Sequence, residues 1–240
     1  MSESVFKRRI KIFTDSSDKI QMLETSKNPL ISGFTTNPTL MKKAGVSDYK
    51  AFCKDMLSYI NDKPISFEVF ADDLSTMERQ AKEISTWGQN VYVKIPVTNS
   101  VGESTAKLVH RLSHLGVKLN VTAILTPRQV LEVCTALQAG APSIVSVFAG
   151  RIADTGRDPV PLMMACKEIC FAHGKEIELL WASSRELLNV IQAEKASCDI
   201  ITVTNDIIKK MSGLDRDLDA VSLDTVKMFR SDAESAGYKL

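Results

Sequence analysis

The feature that most constrains this chain is an alternation of two kinds of segment along its whole length. Short apolar runs rich in β-branched residues alternate with longer segments whose apolar residues recur at helical spacing. The eight strand-like runs, in order, are RIKIFTD, LISGFTT, ISFEVF, VYVKIPV, KLNVTAIL, SIVSVFAG, EIELLWAS and DIITVT. Eight strand and helix repeats are typical of a (β/α)8 barrel, the TIM barrel, and we predict this α/β fold.

The segments between the runs carry the end signals of helices. Several open with Ser, Thr or Asp or have a Pro in the first turn, and several end at a Gly that can adopt a left-handed C-cap. Residues 219–236 are amphipathic and predict an additional C-terminal helix, which would cover an end of the barrel or pack on a neighbouring subunit. A doubly wound open sheet is the alternative fold, because element order alone does not prove closure.

Domain organisation follows from length and from the lack of linkers. A chain of 240 residues suits one large α/β domain or two small ones. No Pro-, Gly- or Ser-rich stretch and no low-complexity segment divides the sequence. We therefore predict a single barrel domain over residues 1–240.

Charge and hydropathy argue against several classes of protein. The formal net charge is +1 at pH 7, whereas dedicated nucleic-acid binders usually carry a basic excess. The sequence contains no run of about eighteen apolar residues, so it predicts no membrane-spanning helix. The opening MSESVFKRRIKIF lacks the apolar region and small-residue cleavage site of a secretory signal. We expect a cytoplasmic protein that binds neither nucleic acid nor membrane.

Cysteine and histidine spacing gives no strong metal signal. The five cysteines lack the spacing of a metal finger. Cys166 and Cys170 would share one helix face, and His110 and His114 would share another. The segment HRLSH lacks the glutamate that acts as general base in HExxH sites. We expect packing or surface roles for both pairs and no metal centre.

Polar side chains gather where a barrel would use them, at the carboxyl ends of the strands. In strand order, the residues at these ends are Asp15; Thr35, Thr36 and Asn37; Glu68; Lys94; Asn120 and Thr122; Ser146 with the aromatic Phe148, and Arg151 in the following loop; the aromatic Trp181 with Ser183 and Arg185; and Thr204 and Asn205. Each one alone has an ordinary explanation, such as a helix cap for Asp15 or a turn residue for Asn37. Together they predict a polar site at one end of the barrel.

Lys94 stands in the middle of a run that otherwise predicts a buried strand. Burial removes most of a lysine's hydration, and the free-energy cost must be compensated by other contacts. Desolvation favours the neutral amine, which can attack a carbonyl to form a Schiff base while nearby carboxylates move protons. Glu68 also lies inside a strand, so a buried structural pair of Lys94 with Glu68 is the alternative explanation. No GxxxxGK loop, GxGxxG fingerprint or GxSxG elbow competes with this chemistry.

Five sequence blocks carry a resemblance to a known family. GFTTNPTL, VKIPVT, NVTAILT, SVFAGRIAD and ITVT resemble the signature blocks of the transaldolase family, particularly its short subfamily, which includes fructose-6-phosphate aldolases. The match runs from the first strand to the eighth, and the blocks follow the family's order. TTNP followed by KIP and then GRI is more specific than any single block.

The resemblance implies a role for each candidate side chain. Lys94 would form the Schiff base, and Asp15 would take the proton from the C4 hydroxyl as the C3–C4 bond of a ketose phosphate breaks. Glu68 and Thr122 would hold the water that carries protons during dehydration and hydrolysis. Asn37, Asn120 and Ser146 would bind hydroxyls of the dihydroxyacetone portion, and Thr36 and Phe148 are further implied substrate-binding residues. An anionic end group would meet Arg151, Ser183 and Arg185. No metal or organic cofactor is implied.

Two positions bear on the reaction. Glu68 and Phe148 match the pattern of transaldolases, whereas short-subfamily aldolases tend to have Gln and Tyr there. We therefore favour transfer of a three-carbon unit between sugar phosphates, as in the pentose phosphate pathway, over release of free dihydroxyacetone. Trp181 and Ser184 depart from the family pattern at the expected anion pocket, which leaves a sulfonated donor sugar open.

Other functions and the assembly state remain open at the level of sequence. A barrel that binds a sugar phosphate without turning it over, with Lys94 as an anion contact, is the alternative of a different class. The resemblance also implies a homo-oligomer, because short-subfamily members often form rings through the C-terminal helix and longer members form dimers.

Overall fold

A computed structural model describes residues 10–239, which form a closed barrel of eight parallel strands in chain order. Its strands are Lys11–Asp15 (β1), Ile31–Thr35 (β2), Ile65–Glu68 (β3), Val91–Pro96 (β4), Leu119–Ile124 (β5), Ser143–Val147 (β6), Ile177–Trp181 (β7) and Ile200–Val203 (β8). Because β8 pairs with β1, the (β/α)8 prediction is confirmed and the open doubly wound sheet is excluded. The expectations about a leader segment fall mainly on residues 1–9, which, like residue 240, lie outside the described residues. A single domain over 1–240 stays a prediction.

Helices surround the strands. They are Lys19–Ser26 (α1), Pro38–Lys43 (α2), Tyr49–Tyr59 (α3), Leu74–Ser85 (α4), Ala106–His114 (α5), Pro127–Leu137 (α6), Ala149–Ala153 (α7), Pro159–His173 (α8), Leu188–Lys195 (α9), Asn205–Lys210 (α10) and Leu218–Ala236 (α11). One element differs from the sequence prediction: Arg151, expected in a loop, lies in the short helix α7. Five residues are too few to show a 3.6-residue period, so the pattern could not reveal this helix.

Side chains set the starts of these helices. Asp18, Asp48 and Asp73 each accept a hydrogen bond from a backbone N–H of the first turn of α1, α3 and α4. Thr126 and Gln129 form a capping box before α6, with Pro127 at its first position. The predicted cap signals therefore act as expected in α1, α3, α4 and α6, whereas the N-cap residues of α5, α9 and α10 make no side-chain cap hydrogen bond.

Apolar side chains fill the barrel below its polar mouth. The interior cluster consists of Phe13, Ile144, Leu180, Ala182 and Ile200, all buried. A Cβ atom at residue 33 would lie 2.5 Å from Cζ of Phe13, so glycine leaves room for this ring. With the base of the barrel closed, ligands can enter at the carboxyl ends of the strands.

Trp181 packs away from the mouth. It is fully buried in the larger apolar core that includes residues of the surrounding helices, not in the interior cluster. The expectation that it lies at the anion pocket is therefore wrong. Strands of such a barrel are apolar on both faces, so alternation alone does not tell which face is inside.

The C-terminal helix α11, Leu218–Ala236, confirms the extra helix predicted at residues 219–236. None of its residues is buried, so it does not cover an end of this chain's barrel. Leu218, Val226, Met228 and Phe229 are each more than half exposed. Among residues 10–239, no helix has both the length and the apolar character needed to cross a membrane.

Candidate active site

A cavity of about 460 Å³ opens at the carboxyl ends of the strands. The predicted site residues that line it are Asp15, Asn37, Glu68, Lys94, Thr122, Ser146, Phe148, Arg151 and Ser183, joined by Thr35, Ala123 and Thr202 among others. Thr36, Asn120 and Arg185 do not line it. The structure thus brings most of the predicted residues together in one cavity.

Lys94 lies in the cavity wall with only 6% of its surface exposed. Strand pairing sets Glu68, Lys94 and Asn120 side by side on β3, β4 and β5. The Lys94 Nζ donates a hydrogen bond of 2.8 Å to the Thr36 carbonyl oxygen and lies 3.2 Å from Glu68 Oε2. These two contacts compensate for the hydration that burial removes. The pair that we considered as a structural alternative does exist, but it faces a cavity.

Thr36 supports this arrangement from behind the wall. Its carbonyl oxygen accepts from Lys94, and its hydroxyl donates to the carbonyl oxygen of Ser66 at 2.8 Å. Its side chain is fully buried. Both of its polar groups are therefore occupied by the protein, and the structure does not bring the hydroxyl to the cavity where the sequence analysis expected a substrate contact.

Asp15 lies at the end of β1, and two neighbours hold its carboxylate. Thr35 Oγ1 donates to Oδ1 at 2.9 Å, and Asn37 Nδ2 donates to Oδ2 at 3.3 Å. The other end of the Asn37 amide accepts from the backbone N–H of Leu40, which fixes its rotamer. Burial raises the pKa of Asp15, against the opposing effects of the Lys94 charge and of the two hydrogen bonds.

Asn120 is fully buried behind the cavity. Its amide donates to Ser66 Oγ at 3.0 Å and accepts from Ser146 Oγ at 2.6 Å. Asn120 thereby orients Ser146, which does line the cavity. Both residues were predicted to contact substrate, but only Ser146 lines the cavity.

The backbone at the end of β5 is irregular. The register between β5 and β6 shifts between Val121 and Ile124, and Ala123 has φ +61°. A regular two-residue period would put Ala123 on the face opposite Thr122, yet both residues line the cavity. The buried Thr122 hydroxyl has no hydrogen-bond partner among residues 10–239. A buried hydroxyl in a cavity wall is suited to bind water or a ligand.

The two arginines expected at the anion pocket differ in placement. Arg151 lines the cavity, with its guanidinium carbon 5.4 Å from the ring centre of Phe148. Arg185 instead forms an ion pair with Asp154, with Nη2 to Oδ2 at 2.5 Å, and both side chains are about half exposed. Ser183 lines the cavity with φ +63°, a strained conformation for a residue with a Cβ atom.

Sequence reasoning missed some polar residues. Thr202 lines the cavity, and Ser66 anchors Asn120, but we selected Thr204 and Asn205 at the end of strand eight instead. Those two border a neighbouring cavity. The two-residue period could have found Thr202, since it precedes Thr204 by two positions on the same face.

The cysteine and histidine pairs lie away from this cavity. All five cysteines are free thiols, and the Sγ atoms of Cys134 and Cys170 are 3.7 Å apart in the core. The rings of His110 and His114 on α5 are in contact, with centroids 4.1 Å apart and ring planes tilted by 43°. Within residues 10–239, no three His, Cys, Asp or Glu side chains group to hold a metal ion. The absence of a metal centre stays a prediction.

Comparison with known proteins decides the family. A sequence model described as transaldolase/fructose-6-phosphate aldolase matches residues 12–239. A protein named probable transaldolase from Methanococcus maripaludis is 37% identical over 202 residues, which cover 84% of this chain and 89% of the relative. This chain belongs to the transaldolase/fructose-6-phosphate aldolase family. Proteins of the same name from Dehalococcoides mccartyi and Clostridium botulinum are 34% and 35% identical, each over 84% of this chain and 90% of the relative.

Solved structures that resemble this transaldolase-family enzyme are more distant in sequence. A 3-hexulose-6-phosphate synthase from Salmonella typhimurium gives a TM-score of 0.55 at 13% identity, over 81% of this chain and 89% of that one. A dihydrodipicolinate synthase from Rhodopseudomonas palustris gives 0.55 at 12% identity, over 90% and 79%. At such identities the likeness concerns the barrel fold and not the reaction.

Proposed function

We propose that this transaldolase-family enzyme transfers a dihydroxyacetone unit from a ketose phosphate, fructose 6-phosphate or sedoheptulose 7-phosphate, to an aldose phosphate. A Schiff base on Lys94 carries the unit. The observation that carries the proposal is a single buried amine in the wall of a polar cavity, 3.2 Å from a carboxylate oxygen of Glu68. A surface lysine would stay an ammonium and could not attack a ketone.

Schiff-base formation begins with proton transfer within the pair. Glu68 takes a proton from the Lys94 ammonium, so both groups become neutral without moving net charge into the cavity. The amine nitrogen then bonds to C2 of the ketose as the C=O π electrons move to the oxygen, and a proton passes from the nitrogen to that oxygen to give a neutral carbinolamine. Protonated Glu68 then gives its proton to the carbinolamine hydroxyl. Loss of water from the carbinolamine leaves an iminium. Glu68 and the Thr122 hydroxyl are suited to hold the water that moves these protons.

Cleavage uses the carboxylate on the other side of the cavity. Asp15 takes the proton of the C4 hydroxyl, the C3–C4 bond breaks, and its electron pair moves into the iminium to form an enamine. An aldose phosphate leaves. Because burial raises the pKa of Asp15 from its ordinary value, this carboxylate is a stronger base than an exposed one.

Transfer reverses these steps with a second aldehyde. The enamine carbon attacks the acceptor, Asp15 returns its proton to the new hydroxyl, and hydrolysis of the iminium regenerates Lys94. Phe148 lines the cavity and has no hydroxyl that could protonate the enamine. The enamine therefore waits for an acceptor, which favours transfer over release of dihydroxyacetone.

Substrate recognition divides between two ends of the cavity. Asn37 and Ser146 offer polar atoms to hydroxyls of the dihydroxyacetone portion, and Asn120 keeps Ser146 in place. Arg151 and Ser183 are suited to the anionic end group. Arg185 is held by Asp154 and would have to leave that pair to reach the anion.

A donor with a sulfonate end group is the second candidate, and the placement of Arg185 favours it. With Arg185 paired, Arg151 is the arginine in the cavity wall, and a sulfonate carries one negative charge where a phosphate dianion carries two. Rates with sulfonated and phosphorylated ketoses, measured under identical conditions, compare these donors. A higher kcat/KM for the phosphorylated ketose would reject the sulfonate candidate.

The test of transfer is acceptor dependence. With fructose 6-phosphate alone, we expect little glyceraldehyde 3-phosphate, and with erythrose 4-phosphate added we expect its steady release. Equal release without an acceptor would identify a fructose-6-phosphate aldolase instead. A coupled dehydrogenase assay measures the product in both reactions.

We also propose a cytoplasmic homo-oligomer whose α11 helix packs on a neighbouring subunit, acting on small sugar phosphates in pentose phosphate metabolism without a cofactor. The exposed apolar face of α11 supports the oligomer, because Leu218, Met228 and Phe229 stay in water otherwise. Light scattering of the full chain and of Phe229→Asp tests it: the variant is expected to have a smaller mass. A monomeric unaltered chain would contradict the proposal.

A further inference from the structure

Three side chains from neighbouring strands form a hydrogen-bonded chain along one wall of the cavity. Thr35 on β2 donates to Asp15 Oδ1 on β1 at 2.9 Å, and the hydroxyl oxygen of Thr202 on β8 lies 2.6 Å from that of Thr35. Thr35 and Thr202 are 3% and 5% exposed, and all three residues line the cavity. Neither threonine reaches Lys94 or Glu68 by a hydrogen bond within residues 10–239.

The donor in each of these two hydrogen bonds follows from counting the available protons. A hydroxyl has one hydrogen to donate, and an ionised carboxylate can only accept. Thr35 uses its hydrogen on Asp15, so the bond between the two threonines must be donated by Thr202. Both O–H dipoles then point toward the negative charge of Asp15, and each bond polarises the next.

We propose that Thr35 and Thr202 are positioning residues for Asp15, with Thr35 holding the carboxylate directly and Thr202 holding Thr35. This inference rests on the proposed role of Asp15 as the base that breaks the C3–C4 bond. A base must keep the direction of its lone pairs to take a proton from one chosen hydroxyl. The Asn37 contact, at 3.3 Å, is longer and leaves Thr35 as the main anchor.

The charged groups around Asp15 also influence its pKa, apart from the two threonines. The Lys94 charge lowers the pKa of Asp15, and the Glu68 charge raises it. Asp15 also lines the neighbouring cavity, whose other charged lining residues are Asp18, Lys43, Asp206 and Lys209. Because the threonine substitutions leave all of these charges in place, a change in the titration of Asp15 would report the hydrogen bonds.

Thr35→Val tests the direct anchor, since it removes the hydroxyl with little change in volume. We expect the pKa of Asp15 to rise, because its ionised form loses a donor. The acid limb of the kcat profile should move to higher pH, with kcat at pH 7 falling about tenfold to a hundredfold and KM nearly constant. Thr35→Ser should restore the profile, because serine keeps the donor.

Thr202→Val tests the second member of the chain. We expect the pKa of Asp15 to rise less than in Thr35→Val and kcat at pH 7 to fall about threefold, because Thr35 can still donate to Asp15. The double variant should be no worse than Thr35→Val alone, since Thr202 acts through Thr35. Fully additive losses would overturn that part of the inference. Thr202→Ser is the rescue variant.

Thr14→Val is the matched control. Thr14 is a fully buried threonine on β1 whose hydroxyl donates to Asn205 at 3.2 Å, outside the active-site cavity. It tests the loss of a buried hydroxyl on the same strand as Asp15. We expect an unchanged pH profile.

A measurement without turnover separates this inference from the proposed reaction. The 13Cγ signal of Asp15, assigned by its loss in Asp15→Asn, gives its titration directly in each variant. The inference requires a higher pKa in Thr35→Val than in the unaltered protein, and an unchanged titration would overturn it. A higher pKa in an enzyme without acceptor-dependent transfer would leave the inference standing and reject the proposed reaction.

Discussion

The two walls of the cavity are built differently. On the wall formed by β1 to β4, Asp15 accepts a hydrogen bond from Thr35 on the neighbouring strand β2. Lys94 is almost completely buried and donates to the carbonyl oxygen of Thr36, which follows β2. On the wall formed after β6 and β7, Arg151 lies in a five-residue helix and Arg185 forms a half-exposed ion pair with Asp154. The first wall is preorganised for proton transfer, and the second can adjust to the ligand's end group.

The largest effect is expected from Lys94→Met, which removes the nucleophile and keeps a similar side-chain length. Transfer should fall by about 10⁴-fold or more, because no other group can form the Schiff base. Lys63→Met is the control: Lys63 also donates to a carbonyl oxygen, that of Ser26, and lies outside the cavity. Steady-state rates of both variants at saturating substrate measure the difference. Comparable rates would show that the first wall does not carry the chemistry.

Asp15→Asn should separate activity from stability. We expect transfer to fall by about 10²-fold to 10³-fold, since the amide is not a base. Burial raises the pKa of Asp15 in the folded state above its ordinary value of 3.8, so unaltered protein loses stability as pH rises above that value. The variant should therefore be more stable than the unaltered protein at pH 7, and this gain should vanish below about pH 4. Urea unfolding at both pH values tests the sign.

Arg151→Gln addresses the second wall. Losing the cavity guanidinium should raise KM for phosphorylated donors about tenfold while kcat changes little, because the contact forms equally in ground and transition states. KM for an unphosphorylated ketose should stay the same. An equal rise for both substrates would show that Arg151 shapes the cavity and does not recognise the anion.

The smallest effect is expected from Asp154→Asn. An exposed ion pair contributes about 0 to 1 kcal/mol, so freeing Arg185 should lower KM for phosphorylated donors by about two- to threefold. The same comparison of phosphorylated and unphosphorylated ketoses measures it. A higher KM would mean that Asp154 orients Arg185 toward the ligand.

The difference between the two walls also explains which features could be predicted from the sequence. Eight strand-like runs and their helix caps identified the barrel, because burial periods and caps act locally. Lys94 and Glu68 stood out because charged residues are rare inside barrel strands. The main residues of the first wall could therefore be predicted from residue types and strand order.

Features that depend on tertiary contacts were not readable. The pairing of Arg185 with Asp154 joins two separate segments, and the positive φ of Ala123 depends on a register shift between β5 and β6. The two-residue period could have placed Thr202 on the inner face, but its hydrogen bond to Thr35 joins two distant segments and has no signal in the sequence. The placement of Trp181 in the larger core could not be predicted, because the sequence of a strand buried on both sides does not indicate which face is inside.

The most direct test of the account is to trap the intermediate. Borohydride reduction in the presence of fructose 6-phosphate should fix a ketose-derived adduct on the enzyme, and peptide mass analysis should locate it at Lys94. The adduct should be absent from Lys94→Met and present in Lys63→Met. An adduct on another lysine, or transfer activity with no adduct on Lys94, would contradict the claim that this buried amine carries the reaction.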